Sequence, residues 1–361
     1  MLFQVLDSKA DCLGYYANNI IHPERRLPPE GSTWDYSPHM KGSQYEIARI
    51  YSQGATITDV CPEDMKEEWE KIKKTLKSCL KAFNTSRISM DENCFYDLVP
   101  EYFLYQYLEA KNKITAHVLE TFERPENYAH MHNLVALTSD IRHRPLNIDI
   151  GPIKHLLSSL KGQNFQRRLK STRPVCDYNP WGTVTGRLAA NPKSFPILTM
   201  SKEFRPCVQP HNDWLVELDF NAAELRILLA LCGEEQPQND IHDWNVTNVF
   251  SDQMTRDEAK VKTFAWLYSS NENKDLERLY NKSFVRNKYW DGFKIKTDYG
   301  RIMENVDEHH SLNYIIQSTT IDMVHEQAYK VYELLKGRKS HIAFLIHDAV
   351  YIDLAEEDRY D

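Results

Sequence analysis

The apolar positions of this chain follow two rhythms, and the balance between them shifts near its middle. Over residues 63–83, Met65, Trp69, Ile72, Leu76, Leu80 and Phe83 recur every three or four positions behind Pro62, which predicts an amphipathic helix. A second long helix is expected from about Pro100 to Phe122, with Pro125 closing it. Ahead of them, residues 1–20 read as a strand or two and 22–43 as a Pro/Gly-rich loop. The two helices carry no readable chemistry and are read as core and scaffold.

Beyond about residue 175 the pattern changes. The run from Trp214 to Asp219 reads as a buried strand, and Ala222 to Leu231 as a helix. Further helices are expected over 240–250, 255–268 and 311–336. From Phe344 to Asp353, two apolar arms flank the polar pair His347 and Asp348, the pattern of a hairpin with that pair at its turn. Strands and helices mix without a regular strand–helix–strand alternation. That predicts an α+β fold, an antiparallel sheet with helices to one side.

Composition narrows the class. With 361 residues the chain can form a large core and two or more subdomains; 42% hydrophobic and 27% charged residues are ordinary for a globular protein. No apolar run is long enough to span a membrane, and the N-terminus lacks the basic-then-apolar layout of a secretory signal, so a cytoplasmic protein is expected. Cys12, Cys61, Cys79, Cys94, Cys176, Cys207 and Cys232 are scattered without ligand spacing and are expected to be reduced thiols. A formal net charge of −8 does not by itself point to nucleic acid, but residues 161–173 hold five cations and no acid. That run is either a solvated face or a contact to a phosphate backbone.

Two constellations carry candidate chemistry. Arg256, Lys260, Phe264 and Tyr268 stand four apart, and on a helix such a series drifts only ~40° per step over a rise of about 18 Å. The strip is cationic at its start and aromatic at its end, the order of parts in a nucleoside triphosphate; alone, it is equally an amphipathic helix face. Asp219 and Asp348 each sit at the end of an apolar strand, where a carboxylate needs a cation or donors. A pair of divalent ions about 3.5–4 Å apart would meet that need and support phosphoryl transfer.

The motifs fall in one order: Thr185 to Leu188, Leu218 to Arg226, Asp240 to His242, the Arg256–Tyr268 strip, Thr297 to Arg301, Asn313 to Thr319 and Ile346 to Asp348. This series resembles the polymerase domain of family A DNA polymerases over roughly residues 180–354, and Ser194 to Thr199 and Phe264 to Tyr268 look most like phage replicative enzymes. The resemblance implies a right-hand fold with an antiparallel palm sheet, helical fingers inserted at about 235–300 and a reduced thumb. Residues 1–98 would form an N-terminal segment of unknown role, 99–175 a helical linker and thumb, and 176–361 the palm with its fingers.

It also implies roles. Asp219 and Asp348, with the backbone carbonyl of Phe220, would hold two Mg2+ ions. Arg256, Lys260 and His242 would grip the triphosphate of a dNTP. Phe264 would lie on the incoming sugar, which points to weak acceptance of dideoxynucleotides. Glu224 would exclude a ribose 2′-OH, with Tyr268 packed on it and stacked at the template–primer junction. Arg187, Asn313 and Gln317 would read the minor groove of primer–template DNA, His347 would sit near the primer-terminal phosphate, and Thr185 and Arg301 would also contact DNA.

The sequence departs from the family in places. Ala349 stands where a Glu usually follows the second aspartate, and the Asn/Gln-rich stretch after the Thr185 motif is replaced. The segment before that motif is short for a thumb. The chain ends soon after Asp353, so a truncated or split gene is expected, with a separate C-terminal palm fragment as a partner. Residues 1–60 are too short for an exonuclease domain and open with no Asp-x-Glu, so proofreading would need a separate chain. Competing readings are a single-subunit RNA polymerase, which Glu224 argues against, and a catalytically weak or dead primer–template binder.

Overall fold

A computed structural model of the chain describes residues 1–6, 14–23, 26–40, 44–90, 93–269 and 273–360. The chain forms two compact units, Met1–His143 and Arg144–Asp361, so the boundary falls within the stretch 99–175.

In the first unit, strands β1 (Phe3–Val5), β2 (Tyr15–Ala17) and β3 (Ile20–His22) form an antiparallel sheet in that order. A short parallel pair joins Gly31–Thr33, within the stretch expected as loop, to Tyr45–Ile47 just beyond it. Helices α1 (Lys66–Thr85), α2 (Glu101–Thr121) and α3 (Tyr128–Arg142) follow. The spacing read from sequence buries Trp69 and Ile72 of α1 against Phe103, Leu104 and Leu108 of α2. The acids of α1 stand one turn from its lysines on the wet face, as in the Glu67–Lys71 pair. Cys61 and Cys79 are free, as are Cys176, Cys207 and Cys232 further on, whereas Cys94 is disulfide-bonded, which corrects the expectation of reduced thiols; Cys12 lies outside the described residues.

The second unit is built on three strands, β4 (Trp214–Asp219), β5 (His341–Ile346) and β6 (Ala349–Leu354), in the order β4–β6–β5 and antiparallel throughout. Its longer helices are α4 (Leu160–Ser171), α5 (Ala223–Leu231), α6 (Ile241–Asn248), α7 (Arg256–Leu267), α8 (Lys282–Tyr289) and α9 (Glu308–Leu334). Strand β6 is central and buried, but β4 is an edge strand whose residues are half-buried or exposed. The expectation of a buried strand at 214–219 is therefore corrected. An apolar run shows that a strand buries something, not where in the sheet order it falls.

The opposite edge is capped at Leu345. The buried Tyr178 hydroxyl donates to the Leu345 carbonyl at 2.7 Å and accepts from the Leu345 N–H at 3.0 Å, so the outward-facing backbone groups of Leu345 are satisfied and the segment leading to Thr185 is pinned to the sheet. A second core joins α5 through Leu225, Leu228 and Leu229 to Ala259 and Trp266 of α7 and to Leu312, Ile315 and Ile316 of α9. The basic run becomes α4, with Phe165 buried and stacked on Phe204 at 4.6 Å while Arg167, Arg168 and Lys170 stay at its surface.

Candidate functional site

Strand register brings the two strand-end aspartates together. Asp219 is the cross-strand partner of Ala349, and Asp348 is the residue before Ala349, in the two-residue turn between β5 and β6. The first turn residue, His347, takes φ 54°, a left-handed conformation that a residue with a Cβ adopts under strain. Burial and then the Asp348 charge push the Asp219 carboxyl above the usual carboxylate range. Among the described residues neither aspartate has an ion-pair partner.

A third carboxylate completes the cluster. Glu224 lies in the first turn of α5 and its acid is raised by burial, then lowered by Arg187 and raised again by Asp348. Arg187 donates to Glu224 at 2.8 Å. The polar partner of Glu224 is thus Arg187. Ala222, which precedes the helix, holds φ 48°, a second strained residue close behind Asp219.

The loop carrying Arg187 is set from below. Gly186 has φ +84°, and a Cβ there would lie 2.4 Å from the Arg301 guanidinium carbon. Arg301 is turned inward: its Nε and Nη2 donate to the Asp322 carboxylate on α9 at 2.8 and 2.6 Å, and Asp322 is fully buried. Expected at the DNA, the Arg301 guanidinium is instead committed to a buried pair beneath the loop. Thr185, also expected at DNA, is buried, with Thr183 Oγ1 donating to the Arg187 carbonyl at 2.8 Å to tighten the turn. Arg187 and His347 line one crevice with Leu345 and Ile321. Asn313 and Gln317 lie one turn apart on α9, the Gln317 amide donating to Asn313 Oδ1 at 2.6 Å.

The helical strip forms as the spacing requires. Thr255 and Glu258 make a reciprocal capping box at the start of α7, leaving Arg256 in its first turn and Tyr268 at its C-cap. Phe264 and Tyr268 stack at 6.2 Å with an interplanar angle of 11°. Lys260 is exposed, and among the described residues it has no ion-pair partner. His242 is buried, its ring 5.7 Å from that of Phe264; burial holds its imidazole below the ordinary value, which makes it a neutral donor or acceptor at physiological pH. Arg256 Nη2 donates to Asp240 Oδ2 at 2.7 Å.

Asp240, Asp322 and Gly186 position the site, yet reasoning from sequence assigned them no role. Asp240 had a visible signal, an Asp immediately before a helix start. Asp322 had none, since its partner Arg301 stands 21 residues earlier, outside the helix that carries Asp322.

No family model matches the chain. The thermostable DNA polymerase I of Thermus thermophilus is 23% identical over 59% of this chain, and the match spans 31% of that protein's length, so the chain covers about a third of this curated relative. Among solved structures, the POL domain of Pol1 from M. smegmatis, in complex with DNA primer-template and dNTP, shares the fold with a TM-score of 0.53 at 14% identity, over 72% of this chain and 70% of that one. Among the described residues no helix is long and apolar enough to cross a membrane.

Proposed function

We propose that the chain is a DNA-templated DNA polymerase that adds dNTPs to a primer 3′-OH by two-metal-ion nucleotidyl transfer, serves DNA replication and does no proofreading itself. One observation carries the reading: two carboxylates meet at the end of a three-stranded antiparallel sheet, with no ion pair to any described basic residue. In this reading the sheet is the palm, the helices within 235–300 are the fingers, and α4 is a remnant thumb, with Arg168 and Lys193 lining a cavity of about 290 Å³ where a DNA backbone phosphate could rest.

The donor set suits hard divalent cations, because burial and the neighbouring Asp348 charge raise the Asp219 acid and a bound cation would relieve both. Asp219, Asp348 and the Phe220 carbonyl would hold two Mg2+ ions, which when bound supply charge neutralisation on the phosphates and a more acidic primer 3′-OH.

The remaining residues bind, orient and exclude. Arg256 and Lys260 present charge to the triphosphate, Arg through a planar fork and Lys as a point charge. Phe264 offers a face to the sugar and Tyr268 one to the base. Glu224, pinned by Arg187, occupies the space a 2′-OH would need. Arg187, Asn313 and Gln317 offer donors to purine N3 and pyrimidine O2, acceptors present on every base pair.

Primer extension on a defined template tests this. Wild-type protein with Mg2+ should extend with dNTPs and discriminate against rNTPs, and Glu224→Ala should weaken the discrimination. Equal use of both nucleotide classes by wild type would favour an RNA polymerase. A second reading, a primer–template binder without catalysis, draws on Ala349, which offers no carboxylate beside Asp348. Tight DNA binding without extension would select it.

A further inference from the structure

We propose that Asp240 is a positioning residue that presets Arg256 for an incoming triphosphate; the inference rests on the polymerase reading above. One carboxylate joins three parts of the site. Its Oδ1 accepts the backbone N–H groups of His242 and Asp243 at 2.8 and 3.1 Å, capping α6. Its Oδ2 accepts from Arg256 Nη2 at 2.7 Å and from the Asn221 amide at 3.1 Å. Asn221 is two residues beyond Asp219. The helix with His242, the helix with Arg256 and the strand end with Asp219 therefore share one anchor.

The division of labour between the two oxygens gives the proposal its content. An N-cap needs only Oδ1. The bond to Arg256 is charge-assisted and uses one nitrogen of the fork. Asp257 touches another, at 3.3 Å, while Asp243 stands 3.9 Å from Nε. Arg256 remains partly exposed, its side chain 40% accessible, so part of the guanidinium stays open to a phosphate. Fixing a long side chain before the ligand arrives removes an ordering cost from binding. Asp240 thus acts on dNTP affinity rather than on the chemical step.

Asp240→Asn separates the two duties. Asn keeps Oδ1 for the cap, but its amide NH2 replaces Oδ2 and meets the Arg256 and Asn221 donors without accepting from either. The expected result is a KM for dNTP raised about 10-fold with kcat within about twofold of wild type. Asp240→Ser, which also caps a helix but is too short to reach Arg256, should give the same split even if the Asn variant folds poorly. In an Arg256→Ala background neither substitution should raise KM further, because Asp240 acts through that side chain. A wild-type KM in both Asp240 variants, a fall in kcat alone, or full additivity with Arg256→Ala would overturn the proposal. Wild-type protein that extends no primer would instead remove the reading on which it rests.

Discussion

Two carboxylate sites in the second unit stand in opposite electrostatic states. Asp322 is buried, and Arg301 meets it through two nitrogens, so its charge is fully answered. Asp219 and Asp348 lie at an open sheet end, each facing the other's charge, with no described cation paired to either. A protein gains nothing for its own stability from the second arrangement. The contrast separates a carboxylate that holds the fold from carboxylates reserved for something that binds.

The sharpest way to break the contrast is to exchange the consequences. Asp348→Ala should abolish primer extension, by at least about 10³-fold, on the scale of losing a preorganised electrostatic group, with the melting temperature unchanged or higher. A measurable extension rate near wild type would place catalysis elsewhere. Asp322→Ala should do the reverse. It leaves a buried guanidinium uncompensated and should cost about 3–5 kcal/mol in denaturant unfolding. Gly186→Ala, with its strained φ and a Cβ against Arg301, should cost a further, smaller amount, about 1–3 kcal/mol. If that variant is as stable as wild type, Arg301 is not held tightly beneath the loop.

The smallest effect concerns pH. Because the Asp219 acid is raised in the folded protein, ionising it is harder there than in the unfolded chain. The stability it contributes is present below the unfolded pKa of about 3.8 and is lost as pH rises through the folded value. Asp219→Asn should therefore raise the melting temperature slightly at pH 7 and leave it unchanged near pH 3, seen by calorimetry at both values. A lower melting temperature at pH 7 would mean that Asp219 is structurally paired.

The same contrast explains what could be read from the chain. The hairpin with His347 and Asp348 at its turn, the capped helix beneath Arg256 and the long helix bearing Asn313 and Gln317 all follow from local rhythm, and each is present. The order of motifs carried the resemblance to a polymerase domain, and a solved polymerase domain shares this chain's fold. Local rhythm could not give the edge position of β4, which depends on pairing with a strand more than a hundred residues later. Nor could it give the partner of Arg301. A motif shows that an arginine is present, but only the folded chain shows which acid it meets. Asp240 sits between these cases: its cap is local, its bond to Arg256 is not.

The central claim is that Asp219 and Asp348 act as one metal-dependent catalytic pair. Single-nucleotide incorporation on a primed template tests it most directly, comparing wild type with Asp219→Asn and Asp348→Asn across a Mg2+ titration. Mg2+-dependent addition of the complementary nucleotide is expected from wild type and none from either variant, with all three proteins folded and bound to the DNA. Incorporation by both variants at the wild-type rate, or none by folded, DNA-bound wild type at any Mg2+ concentration, would contradict it.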